Sequence, residues 1–152
     1  MKIKDRLFLS SFAGGISAIF ANTFLYILNI FLPGNNINMP ELTAEIFLNI
    51  TPAEISPVTR LLGFIWSMVV GGAYALVYII ALDITGWYRL SVKAVLIIVG
   101  GWLLAAGLIT RLLSLGLYVR DEPLSILAFF TAHIFFAIVL SLFVKHYGTR
   151  DK

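Results

Sequence analysis

The sequence has no cysteine, which excludes disulfides, thiolate metal sites and thiol nucleophiles. Charge is nearly as scarce, at 12% of 152 residues, where a soluble domain carries about 25%. So few charges cannot cover the surface of a chain that is 60% hydrophobic, so lipid must cover much of it. Histidine occurs twice, at His133 and His146, with no second ligand at helical spacing, so no metal is expected. There is no P-loop, dinucleotide fingerprint or nucleophile–base pair, so we expect no cofactor and no catalytic residues. The net charge of +3 and pI near 9.3 come from basic residues at the chain ends and helix boundaries. They form no basic face interleaved with aromatics, which excludes a nucleic-acid partner.

What the sequence does have is four long apolar runs, at about 7–32, 58–82, 94–118 and 124–144. Each reaches the roughly 20 residues that a membrane-crossing helix needs. Backbone groups in hydrocarbon must be satisfied within the segment, so each run should be helical. The expected fold is all-α: one domain over 1–152, an integral membrane four-helix bundle of two antiparallel hairpins. Lys2, Lys4 and Arg6 before the first run resemble a signal-peptide n-region, and Ala21 a cleavage site. The apolar stretch outlasts the roughly 7–15 residues of such a peptide, so an uncleaved helix is expected.

Orientation follows from where lysine and arginine fall. Lys2, Lys4 and Arg6, then Arg89 and Lys93, then Lys145, Arg150 and Lys152 mark one side. The other two connections hold only Arg60 and Arg120, among Glu41, Glu45, Glu54, Asp121 and Glu122. This places a multi-pass protein in the plasma (inner) membrane with both termini cytoplasmic. In the outer loop, 33–57, Asn38 and Glu41 read as a capping pair for a short interfacial helix with Leu42, Ile46 and Ile50 on one face. Thr51-Pro52-Ala53-Glu54 repeats the capping pattern, and Ser56-Pro57 opens the second span. Trp87 and Tyr88 read as interfacial anchors.

Membrane helices associate through close approach at small residues. Gly14 and Ala18, with Ser10 and Asn22, recur every fourth position in the first span. Gly63 and Gly71, with Ser67 and Ala75, do so in the second. These glycine-rich faces should pack on each other. In the third span Gly100, Gly107, Arg111 and Ser114 share an arc at 100° per residue.

Arg111 lies roughly 10 Å below the outer end of its span. Arginine near the bilayer centre costs at least about 2.5–3.5 kcal/mol, and such charges usually face the protein interior. Its arc of small residues favours the inward reading over snorkelling to lipid phosphates. His133 enters from the outer side to about 14 Å. With Asn22, Ser67 and Thr110 these residues would make a polar, ligand-binding layer in the outer half of the bundle. No acidic residue lies inside a span, so the counter-charge of Arg111 must be Glu41, Glu45, Glu54, a lipid phosphate or an anionic ligand. A lone intramembrane histidine is more often a helix contact than a ligand. His146, beyond the last span, should be solvated. The lack of an intramembrane carboxylate argues against a proton pump.

The order of features resembles the YqhR-like group of small bacterial membrane proteins. The likeness is carried by Phe12-Ala13-Gly14-Gly15, by Ile55-Ser56-Pro57, and by glycine followed by Trp102 in the third span. It covers most of the chain in layout and a handful of residues in detail. The resemblance implies a four-helix bacterial membrane protein without an assigned activity, and gives Arg111 and His133 no role. From the residues themselves, the first expectation is a binding or accessory protein. It would hold an anionic group, a lipid head group or a partner membrane protein. The alternative is a small transporter or channel for an anion or solute, formed as a homo-oligomer. An enzyme acting on lipid with His133 as base ranks last, for want of a nucleophile.

Overall fold

Asp5 opens the first helix by accepting a hydrogen bond from the Phe8 amide at 2.9 Å, satisfying one of the donors that a helix start leaves free. The computed structural model describes residues 3, 5–32, 38–113 and 123–148, with backbone alone at 109, 110 and 113. Helix α1 is Arg6–Phe31, α2 is Met39–Leu48, α3 is Pro57–Thr85, α4 is Leu90–Leu104, α5 is Thr110–Leu113 and α6 is Pro123–Tyr147. A 3-10 turn covers Pro52–Glu54, and a π-helical turn, Ala105–Ile109, joins α4 to α5. Four of these helices are long and apolar enough to cross a membrane: α1, α3, Leu90–Leu108 and α6. The end of the expected third span, 114–118, lies outside the described residues.

Local chemistry explains most boundaries. Ser56 and Thr59 exchange hydrogen bonds around Pro57, which has no amide to leave unsatisfied. Glu54 accepts from the Thr51 amide at 2.7 Å and the Thr51 hydroxyl at 2.9 Å, which holds its carboxyl below the usual range. Helix α2 departs from expectation. It starts at Met39, two residues early, and the Asn38 side chain caps no amide; its Oδ1 accepts from the Asn29 side chain at 3.4 Å instead. Ile50 falls beyond its end, because Asn49 turns left-handed at φ 52°. The side chains α2 buries are Leu42, Ala44 and Glu45.

Helix α3 organises the rest. Along α1, Arg6, Gly14 and Asn22 meet Asp83, Gly71 and Ser67, one series rising as the other falls. The two backbones touch: a Cβ on Gly14 would strike the Gly71 carbonyl, and one on Gly71 would sit 2.7 Å from the Gly14 oxygen and 3.0 Å from Ala18 Cβ. Gly14, Ala18 and Gly71 thus lie at one close crossing of α1 and α3. Gly63 belongs to another contact: a Cβ there would strike the Pro40 carbonyl of α2 and come within 2.9 Å of Ala44 Cβ.

Gly100 and Gly107 correct the packing expectation. Nothing among the described residues lies within 4 Å of a Cβ at either, so neither packs against a described helix. Helix α4 instead buries Ala94, Ile98 and Trp102, a stripe at every fourth residue. Gly100 lies two residues, or roughly 200°, away from that stripe. Gly107 sits inside the π turn, whose i→i+5 bonding breaks the 100° register.

At the opposite end from α2 the chain ends meet: the Ile3 amide donates to the Tyr147 carbonyl at 2.7 Å. Beside them Asp83 accepts from Arg6 at 3.2 Å and from the Trp87 indole at 2.8 Å, with the Arg6 guanidinium 5.0 Å over the Trp87 ring. Lys93 donates to the carbonyls of Thr85 and Gly86, closing the C-terminus of α3, and lies over the ring of Tyr88.

Gly14→Val should drive a side chain into the α3 backbone and cost at least about 1–3 kcal/mol. Gly100→Ala should stay within about 0.5 kcal/mol of the parent. Thermal unfolding of the detergent-purified protein measures both; equal effects would refute the seam.

Candidate functional site

Because Gly63 has no side chain, the first turn of α2 settles directly on α3. There it overhangs the groove between α1 and α3 and borders an open cleft of about 440 Å³. That is within the roughly 300–1,000 Å³ of ordinary ligand sites. Leu25, Tyr26, Met39, Pro40 and Phe64 give it apolar walls; Asn22, Thr23, Asn38, Glu41 and Arg60 give it polar groups.

The polar groups fall at two levels. At the rim, Arg60 Nη2 lies 2.8 Å from Glu41 Oε1. Each residue occupies the first turn of its helix. That position suits the carboxylate of Glu41 and disfavours the cation of Arg60, so the pair offsets the cost at Arg60. Arg60 is largely exposed and Glu41 mostly covered. At the floor, Asn22 lies nine residues before the end of α1, about 14 Å along the helix. Its amide nitrogen donates to Ser67 Oγ at 2.9 Å, and the Ser67 hydroxyl donates to the Phe64 carbonyl at 2.7 Å. With that hydroxyl proton committed, Asn22 must turn its NH2 toward the serine. Asn22 Oδ1 is left buried without a hydrogen-bond partner. Such an unmet acceptor costs about 1–3 kcal/mol.

Among the described side chains of the expected polar layer, only Asn22 and Ser67 are joined. His133 sits apart on α6, half-buried, with Nδ1 2.8 Å from the Phe129 carbonyl and its ring 4.9 Å from Phe129 and 6.1 Å from Trp102. It is a helix contact within an aromatic nest. The Trp102 indole N–H beside it is buried and unbonded. Arg111 is exposed and makes no ion pair among the described residues, which corrects the inward reading. Its shared arc with Gly100 assumed a regular helix, and the π turn between them removes that register. Glu41 is engaged by Arg60 and Glu54 by Thr51, so neither serves as its counter-charge. The Thr110 side chain and Ser114 lie outside the described residues. His146 is exposed, as expected.

Among the described residues no group of three His, Asp or Glu could hold a metal. The cleft offers one cation and one carboxylate to a ligand. It contains no nucleophile–base pair. Glu41 and Arg60 were visible in the sequence as opposite charges flanking two helix starts, but nothing there paired them across 19 positions.

Ser67→Ala should remove the donor–acceptor link under the cleft and cost about 0.6–1.7 kcal/mol, the span measured for polar contacts between membrane helices. Adding Asn22→Leu should recover part of that loss, because the stranded amide goes too. Chemical denaturation of the two variants provides the check, and additive losses would sink the pairing. Compared with known proteins, the chain matches no family model, no curated protein and no solved structure.

Proposed function

We propose that the chain is a four-span membrane protein that holds the head group of a lipid in the cleft between α1, α2 and α3. Its helices form two antiparallel hairpins in the plasma membrane, with both termini in the cytoplasm. One observation carries the binding reading: one apolar-walled cleft combines the Arg60–Glu41 pair with the polar residues Asn22, Thr23 and Asn38. Apolar walls suit the upper part of an acyl chain or glycerol backbone, and charged groups at the outer end of the helices suit the head-group layer. The proposal transfers the anion-holding role expected of Arg111 to Arg60. Exposed Arg111 is then free to reach outer-leaflet phosphates.

Orientation is supported by the alternation of basic and acidic connections. The Ile3–Tyr147 bond supports an even number of crossings, because it holds the beginning of α1 beside the end of α6. Many apolar side chains face outward on all four long helices, among them Phe20, Ile30, Val69, Leu96, Leu104 and Leu127. Hydrocarbon would solvate them at no cost.

Removing both rim charges together, Glu41→Ala with Arg60→Ala, leaves neither one stranded. This variant should lose at least tenfold of the lipid that co-purifies with the wild-type chain, counted by native mass spectrometry. Retention at the wild-type level would exclude the cleft as a lipid site. Reporter fusions at the two termini should both give cytoplasmic signals; opposite signals would overturn the four-span arrangement.

A further inference from the structure

The rim of the cleft carries charges of both signs, and that narrows its occupant. Arg60 and Glu41 both line the cleft, and their side chains keep 59% and 18% of their accessible surface. One contact joins them, Nη2 to Oε1 at 2.8 Å. The guanidinium therefore keeps N–H groups to donate and the carboxylate keeps lone pairs to accept. The remaining lining residues are amides, hydroxyls and apolar side chains, so this pair sets the charge of the cleft.

At 2.8 Å the two charges largely cancel, and the rim offers little net field to a purely anionic group. What such a group gained at the guanidinium it would lose at the carboxylate. Glu41 is thus the repulsive element that discrimination between partners commonly needs. A head group with one charge of each sign meets no such penalty. Its phosphate takes the spare N–H groups of Arg60 and its ammonium the spare lone pairs of Glu41. Four charges then alternate in sign around a ring. The short carbon bridge between phosphate and ammonium lets a folded head group set them side by side, as the 2.8 Å pair requires. Charge-assisted bonds of about 2.7–2.9 Å close the ring on each side.

We infer that Glu41 determines specificity: paired with Arg60, it makes the cleft select a zwitterionic phospholipid over an anionic one. This inference rests on the lipid-head-group reading above and adds the charge of the head.

The test uses the full chain in nanodiscs of equimolar phosphatidylethanolamine, phosphatidylcholine and phosphatidylglycerol. Lipid that stays bound through mild detergent extraction is quantified by mass spectrometry. Each zwitterionic lipid should be retained about fivefold over phosphatidylglycerol, the size of an exposed charge contact. Glu41→Gln keeps an acceptor for Arg60 and removes the negative charge, so it should raise phosphatidylglycerol to the level of the zwitterions or above. Phosphatidylglycerol retained as well as either zwitterion in the wild-type chain overturns the selectivity, as does an unchanged ratio in Glu41→Gln. Either result leaves the head-group reading intact if Glu41→Ala/Arg60→Ala still releases the lipid. If that double substitution releases nothing, both readings fail. Should Glu41→Gln not fold, the wild-type ratios decide alone.

Discussion

The backbone contact between α1 and α3 at Gly14 and Gly71 sets the position of everything else. At that crossing each glycine would put a Cβ onto the opposite carbonyl, so the two helices lie as close as their main chains allow. Solvent gives membrane helices little reason to associate, and such proximity supplies the dispersion contacts that side chains at greater distance would forfeit. Two turns along α1 from Gly14, the same proximity brings Asn22 within hydrogen-bonding distance of Ser67. In the other direction it aligns Arg6 with Asp83. One steric fact thus fixes a polar contact toward each end of the helix pair.

A second close approach, at Gly63, makes the cleft. Helix α2 is only ten residues long and would be marginal alone in water. It holds its place because its first turn lies against bare backbone, and because Leu42 joins Leu25, Trp102 and Phe129 in the outer cluster of the core. Phe47 stacks on Trp66 with centroids 4.7 Å apart, fixing the other end of the helix. These contacts hold α2 against α3 at both ends of the short helix.

The four long helices were legible because hydrophobic length is a strong signal, and the Gly14–Ala18–Gly71 seam because fourfold spacing maps directly onto one helical face. Gly63 meets Pro40 and Ala44 of α2, where its spacing points to α1. Spacing identifies a face without saying which neighbour covers it. The arc through Gly100, Gly107 and Arg111 failed for a different reason. It assumed constant rotation per residue, and nothing in Ala105–Ile109 announces a π turn. The cleft itself was the least legible. It depends on Glu41 meeting Arg60 and on a proton count at Ser67, both of which require three-dimensional neighbours.

The bond between Ile3 and Tyr147 carries a topological implication. With Ile3 and Tyr147 already in backbone contact, a few residues linking those two positions would close the helices into a ring without moving one. Such a ring could be reopened at an exposed turn elsewhere, and the order in which helices emerge during synthesis would change while their packing stayed the same. The bundle should then assemble identically from a different starting helix.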